Sequence, residues 1–120
     1  DRRWCATVAC GGHPLPLLRR PGQHPVTVGE HGGLLGALPS ATFTDAEVTL
    51  GAGDALVLFT DGVTEGRRRG HFYGSARLVD VVDRHRGPAA DVTEAILADV
   101  MAYQAYDARD DIAVVTVAVD

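Results

Sequence analysis

Short apolar runs broken by polar turns dominate the first two thirds of the chain, which is typical of β-strands. In residues 32–39, glycine is so frequent that we expect a buried loop without regular structure. Turns rich in glycine and proline separate the strands that the pattern predicts, over residues 4–9, 15–18, 26–28, 41–50 and 54–60.

Helical periodicity is confined to the last third of the chain. Ser75 is a candidate N-cap, and Leu78 and Val82 follow it on one face of a helix. Gly87-Pro88 is expected to end that helix and open a second one. The second helix has an apolar stripe at helical spacing, widened by Leu97 and Met101, that consists of Val92, Ile96, Val100 and Tyr103.

Residues 54–60 and 112–119 are continuous apolar segments, which predicts strands buried on both faces. Such strands occur in a parallel sheet between helices, or in two stacked sheets with helices outside. The two helices between these segments match the strands in length, so the four elements should run up, down, up and down. The last strand is then antiparallel to the earlier one. This order favours an α+β fold with stacked, mainly antiparallel sheets.

Acidic residues lie at the ends of these two strands. Asp61 follows the first strand, and Asp110 and Asp111 precede the second. Antiparallel strands would bring all three to one end of the sheet. Carboxylates clustered beside an apolar core need a neutralising cation, and oxygen ligands suit Mg²⁺ or Mn²⁺ rather than zinc. The simpler interpretation is that Asp61-Gly62 is a turn and that Asp110 and Asp111 protect a strand edge.

The composition excludes several classes of function. The chain has 120 residues, enough for one domain, with 46% hydrophobic and 22% charged residues. All 11 basic residues are arginine, so a P-loop, which requires lysine, is excluded. A net charge of −5 leaves no broad basic face for nucleic acid. The apolar runs are far shorter than the roughly 18 residues of a membrane span, and no signal peptide is visible, so no membrane insertion is expected.

The two cysteines predict a reducing environment. Cys5 and Cys10 are an odd number of residues apart, so in a strand they point to opposite faces and do not form a disulfide. They also lack partners for a zinc site. Two inert thiols are expected in a cytoplasmic protein.

Several motifs together resemble a known family. The segment 53–65, which contains Phe59-Thr60-Asp61-Gly62, is similar to a metal-ligand segment of the PPM-type, metal-dependent serine/threonine phosphatases, in their bacterial SpoIIE-like branch. The family's order and spacing are also matched at 9–18, 34–36, 72–74 and 110–113.

The resemblance implies an α-β-β-α sandwich of two mainly antiparallel sheets with flanking helices. It implies hydrolysis of phosphoserine or phosphothreonine by a water that bridges two Mn²⁺ or Mg²⁺ ions. Asp61 and Asp110 match metal ligands of the family, whereas Asp111 is expected to contact substrate or support the ligands. The usual substrate in this branch is a phosphorylated anti-sigma-factor antagonist, a small STAS-domain protein, which implies a role in signal transduction and sigma-factor regulation.

The chain departs from the family pattern in two places. A glycine-aspartate segment that supplies another metal ligand has no counterpart, since Asp54 belongs to the entry of a strand. Ala113 stands where many relatives have threonine. We therefore interpret residues 1–120 as the C-terminal part of a phosphatase domain whose N-terminal half is absent. The isolated piece is expected to be weakly active or inactive and to self-associate through exposed sheet. The alternative is a degenerate, non-catalytic module that binds a signalling partner.

Three other sites have a functional and a simpler interpretation. His13 is a candidate proton shuttle, or a loop histidine bonded to backbone. Glu65 could contact an accessory metal, or be an ordinary loop carboxylate. The run 67–69, which is three arginines, could attract a phosphoprotein, or be a solvated turn.

Overall fold

The computed structural model describes residues 2–105 and 110–120. In these residues the strands are β1 Trp4–Val8, β2 Leu17–Arg19, β3 Val26–Thr27, β4 Ala46–Leu50, β5 Ala55–Phe59, β6 Arg67–Arg68, β7 His71–Phe72 and β8 Val114–Ala118. The helices are α1 Asp61–Thr64, α2 Ser75–Arg84 and α3 Ala89–Tyr103. None of the described helices is both long enough and apolar enough to cross a bilayer.

A four-stranded sheet in the order β3-β2-β5-β8 forms the centre of the fold. All of its neighbouring strands are antiparallel. The register of β5 and β8 runs from Ala55 opposite Ala118 to Phe59 opposite Val114. The predicted antiparallel arrangement of the two apolar segments is therefore confirmed, and the end of β5 lies beside the start of β8.

Helices α2 and α3 cover one face of this sheet. Val57 of β5 packs there in a cluster with Leu78 of α2 and Ile96 of α3. The predicted stripe on α3 is confirmed, because each of its four members is buried, namely Val92, Ile96, Val100 and Tyr103. Its predicted widening by Leu97 is wrong, since Leu97 is 44% exposed. The amphipathic pattern of the helices thus fixes which side of the sheet they cover.

The opposite face of the sheet packs against an antiparallel pair formed by β1 and β4. Val8 and Val48 from this pair contact a cluster that includes Leu18 and Leu56 of the central sheet. The layers are therefore helices, a four-stranded sheet and a two-stranded sheet. This is an α+β fold, as predicted, and it matches part of an α-β-β-α sandwich.

The prediction that the last strand is buried on both faces is wrong. Residues of β8 alternate in burial, and Val115 and Val117 are 58% and 46% exposed. Their partners Leu58 and Leu56 share their face, because opposed residues of an antiparallel pair point the same way. This face is turned towards β1 and β4, but a sheet of two strands is too narrow to cover it as far as β8.

The glycine-rich segment 32–39 has no regular structure, as predicted, but the prediction that it is buried is wrong. Leu35 is 74% exposed, and Leu34 and Leu38 are exposed as well. Backbone hydrogen bonds hold the segment in place, including Leu35 N to Gly11 O at 3.0 Å and Gly33 N to Thr42 O at 3.0 Å. Its conformation thus depends on backbone pairing and on the close approach of Gly32 and Gly33 to neighbouring residues.

Two element ends also differ from the prediction. Ser75 is the first residue of α2 and makes no side-chain cap, because Gly74, with a φ of 84°, occupies the N-cap position. Strand β2 continues through Arg19, which is buried. The Arg19 guanidinium donates to the carbonyl oxygen of His85 at the end of α2, which compensates the buried charge.

Candidate metal centre

Thr60 joins the end of β5 to the start of β8. Its backbone N–H donates to Ala113 O at 3.1 Å. Its hydroxyl accepts from Ala113 N at 3.1 Å and donates to Asp111 O at 3.2 Å. The residue between β5 and Asp61 is therefore fastened to both ends of the segment 111–113.

Gly62 allows α1 to approach the same segment closely. A Cβ atom on Gly62 would overlap the carbonyl oxygen of Asp111 and lie 2.9 Å from its carbonyl carbon. Gly62 itself is buried. The two neighbours of Asp61, Thr60 and Gly62, thus both contact the backbone of Asp111, so the structure brings these parts of the sequence together.

The candidate carboxylates are exposed at this end of the sheet. Asp110 accepts a hydrogen bond from Asp111 N at 2.8 Å through Oδ1. It also lines a cleft with Gly62, Glu65 and Gln104. Glu65 is therefore on the same side of the fold as Asp110, although neither its proposed metal contact nor its simpler interpretation is tested by this placement.

The candidate ligands are chemically suited to a hard divalent cation, but there are too few of them to complete its coordination. Carboxylate oxygens of Asp61, Asp110 and Asp111 are suited to Mg²⁺ or Mn²⁺. Yet within residues 2–105 and 110–120 no three His, Cys, Asp or Glu side chains are grouped closely enough to hold a metal ion. The described residues would supply one side of a metal site, and a complete site would need further ligands. The assignment of these aspartates as ligands stays a prediction.

His13 lies in a neighbouring cleft. It is exposed, and it shares this cleft of about 270 Å³ with Thr60, Ala113 and Val115. The loop containing His13 therefore borders the junction of β5 and β8. A role as proton shuttle stays a prediction.

Asp54 lies at the other end of β5 from Asp61. It is buried, forms an ion pair with Arg20 at 2.8 Å and accepts from Gly51 N at 2.9 Å. These contacts stabilise the turn before β5, in agreement with its interpretation as part of the strand entry.

Two residues near the candidate centre are not indicated by the sequence pattern. Thr60 could have been found as a polar residue that ends an apolar strand immediately before an aspartate. Gln104 follows α3 and has no such signal. It is buried, its Nε2 atom has no hydrogen-bond partner among the described residues, and a Cβ on Gly66 would overlap that atom.

Comparison with known families identifies the class of the chain. The model of the family described as stage II sporulation protein E (SpoIIE) matches residues 1–120. The chain therefore belongs to the SpoIIE family, which confirms the predicted membership of the SpoIIE-like, PPM-type phosphatases. No curated protein sequence matches it.

Solved structures show the same fold. The manganese-soaked phosphatase domain of SpoIIE, the cell fate determinant from Bacillus subtilis, matches with a TM-score of 0.77 at 17% identity, over 97% of this chain and 51% of that one. The PP2C domain of SiaA from Pseudomonas aeruginosa matches with a TM-score of 0.72 at 28% identity, over 95% of this chain and 47% of that one. The chain thus corresponds to part of a PP2C-type phosphatase domain and spans about half the length of these relatives.

Proposed function

We propose that the protein containing this chain hydrolyses phosphoserine or phosphothreonine on a regulatory protein, with Mn²⁺ or Mg²⁺ as cofactor. The observation that supports this most is that Thr60 and Gly62, the two neighbours of Asp61, both contact the backbone of Asp111. The three acidic residues at this end of the sheet are exposed, so the packing of the fold does not require them. We place the reaction in the cytoplasm, in keeping with the two free cysteines.

In this proposal, Asp61 and Asp110 would hold a metal ion on this side of the site, and Asp111 would support them or contact substrate. The metal would lower the pKa of a water and offset the charge on the phosphoryl oxygens. Thr60 and Gly62 act indirectly, because they fix the distance between the two acidic segments. His13, at the border of the adjacent cleft, is the candidate for moving a proton.

The proposed substrate is a phosphorylated STAS-domain protein that acts as an anti-sigma-factor antagonist. Its choice follows from the SpoIIE-like branch, to which the chain belongs. The protein would then regulate a sigma factor by removing the phosphate. The chain by itself is expected to be weakly active or inactive, since the described residues do not complete a metal site.

The test uses the product of the complete gene and a phosphorylated STAS-domain protein, with Mn²⁺ present. We expect metal-dependent release of phosphate, and a loss of at least about 100-fold in kcat for Asp61→Asn and for Asp110→Asn. Asp91→Asn is the matched control, because Asp91 is an exposed carboxylate on α3. Equal activity in all three variants would overturn the roles proposed for Asp61 and Asp110, and no activity in the unaltered protein would favour a non-catalytic module that binds a partner.

A second arm uses the 120-residue chain alone. Its turnover of a phosphorylated peptide with Mn²⁺ should be far below that of the complete protein. If the two rates are comparable, the interpretation of this chain as an incomplete phosphatase is wrong.

A further inference from the structure

A hairpin beyond the candidate centre presents a set of arginines. Strands β6 and β7 pair antiparallel, with Arg67 opposite Phe72 and Arg68 opposite His71. The turn between them uses Arg69 and Gly70 in left-handed conformation, with φ values of 52° and 80°. This tight turn places consecutive arginines at an exposed tip.

Tyr103 at the end of α3 anchors this hairpin. Its hydroxyl lies 3.1 Å from both His71 O and Phe72 O, the backbone acceptors of β7. The Tyr103 ring is buried and meets the Tyr73 ring edge-on, with centroids 5.5 Å apart. The hairpin is therefore held in a defined position against the helices, while its arginines remain exposed.

The same ring orients two guanidinium groups. Arg68 of the hairpin and Arg77 of α2 each have their guanidinium carbon 4.6 Å from the Tyr103 centroid. Arg67 lies similarly over Phe72, at 5.1 Å. Stacking restrains a guanidinium but leaves most of its N–H groups at the rim, where they can donate to an oxyanion.

The described residues form no ion pairs with this group of arginines. Among residues 2–105 and 110–120, none of Arg67, Arg68, Arg69 and Arg77 has a carboxylate partner within 4.0 Å. Other arginines do, since Arg84 pairs with Asp80 at 2.8 Å on the same helix as Arg77. A chain with a net charge of −5 thus has a concentrated positive site in its described part.

The arginines surround an open cleft of about 770 Å³, lined by Arg68, Arg69, His71, Phe72, Arg77 and Tyr103. This volume is in the range that holds drug-sized ligands and is much larger than a single phosphate group requires. The arginines that line the cleft come from two elements, the hairpin and α2. This arrangement suits a peptide that carries several carboxylates. Arg67 also lines the cleft that contains Asp110, so the two clefts adjoin.

We propose that this Arg–Tyr cleft binds an acidic, carboxylate-rich segment of the protein substrate, outside the region that receives the phosphoryl group. The identification of the partner as the substrate rests on the proposed function, whereas the binding of an acidic segment does not. Such a contact would let the protein select a phosphoprotein by a surface feature other than its phosphate.

The experiment measures binding of a fluorescein-labelled hexaglutamate peptide to the 120-residue chain by anisotropy, at low salt and with EDTA present. The chain's net negative charge repels this peptide, so binding would report a local site. We expect saturable binding, at least 10-fold weaker binding to Arg68→Gln/Arg77→Gln, and no binding of a hexaglutamine peptide. Arg84→Gln is the matched control and should bind as the unaltered chain does.

Because Arg68 and Arg77 pack on Tyr103, a second variant covers the case in which their replacement unfolds the hairpin. Arg69→Asn keeps a residue that tolerates positive φ and removes a charge that is not stacked. It should weaken peptide binding about 3-fold or more with an unchanged circular dichroism spectrum. Equal binding by this variant and by Arg84→Gln would overturn the proposal.

Inorganic phosphate distinguishes an acidic segment from a small anion. It should displace the peptide only at concentrations far above the peptide's Kd. If phosphate binds as tightly as hexaglutamate, the cleft is a small-anion site and the proposal is wrong. No metal or turnover is needed in these measurements, so their failure is separable from failure of the phosphatase assay.

Discussion

The Thr60 hydroxyl donates a hydrogen bond of 3.2 Å to the backbone carbonyl oxygen of Asp111. The same hydroxyl accepts from Ala113 N, so one side chain completes the junction of β5 and β8 beyond the last paired residues, Phe59 and Val114. The position of Asp61 relative to Asp111 is therefore set by side-chain as well as sheet hydrogen bonds.

Replacing Thr60 with valine tests this junction. Thr60→Val keeps the side-chain shape but removes both hydroxyl hydrogen bonds, so we expect unfolding free energy to fall by about 1–2 kcal/mol. Thr60→Ser keeps the hydroxyl and should lose less. Urea unfolding of the chain measures the difference, with Thr49→Val on the exposed face of β4 as control. Equal stability of the valine and serine variants would contradict the role assigned to the hydroxyl.

Gly62 should tolerate no side chain. Gly62→Ala forces a Cβ atom into the carbonyl group of Asp111, so α1 and the acidic segment must separate, and we expect a loss of about 1–3 kcal/mol. If the complete protein has the proposed activity, the same variant should also weaken its activation by Mn²⁺. The control is Gly51→Ala, because a Cβ at Gly51 meets no atom within 4 Å. Similar unfolding curves for the two variants would show that the close approach does not matter.

Much of the fold is encoded in local patterns. The stripe that includes Val92 and Ile96 at helical spacing identifies α3 and the face it buries. The lengths and order of the elements are enough to make β5 and β8 antiparallel, and that relation alone places Asp61 and Asp111 at one end of the sheet. Long periodic elements and their connections are thus predictable, because they depend on side-chain spacing.

Features that depend on distant partners are not predictable in this way. The run that contains Val115 is apolar enough for a strand buried on both sides, but its exposure depends on the width of the sheet opposite. Stacking of Arg77 and Arg68 on Tyr103 joins residues from separate elements and leaves no sequence motif. The role of Thr60 also depends on a residue that is distant in sequence, because its hydroxyl donates to the carbonyl oxygen of Asp111.

The exposed face of β8 should cause self-association. Val115 and Val117 form an apolar strip beside Leu58, on an edge strand whose outer hydrogen-bonding groups are unpaired in the described sheet. Sedimentation velocity of the 120-residue chain should therefore show dimers or larger species at micromolar concentration. Val115→Thr/Val117→Thr keeps strand propensity while reducing apolar surface, and it should shift the chain towards monomer.

Val26→Thr is the control for that experiment, because Val26 is an exposed valine on β3, at the opposite edge of the same sheet. It should leave the association unchanged. A chain that sediments as a monomer throughout this concentration range would exclude self-association through β8.

Tyr73 should make stability depend on pH in the alkaline range. Burial, together with a 2.5 Å hydrogen bond that its hydroxyl donates to Asp99, raises the pKa of Tyr73 above its ordinary value of 10.0. The folded state then holds the phenol proton more tightly than the unfolded state. The contribution of Tyr73 to the free energy of unfolding is therefore complete below about pH 10, and it is lost as the pH rises towards the pKa of Tyr73 in the folded state. The unfolding free energy should therefore decline above about pH 10, with a slope of up to one proton per molecule.

Urea unfolding between pH 7 and pH 11 measures this slope. Tyr73→Phe has no phenol at this position, so its curve should be flatter in the alkaline range, and the difference between the two curves isolates the contribution of Tyr73. Asp99→Asn should retain part of the slope, because burial is the largest cause of the raised pKa and remains when the carboxylate is gone. If Tyr73→Phe loses stability above about pH 10 as steeply as the unaltered chain, the alkaline dependence comes from other groups.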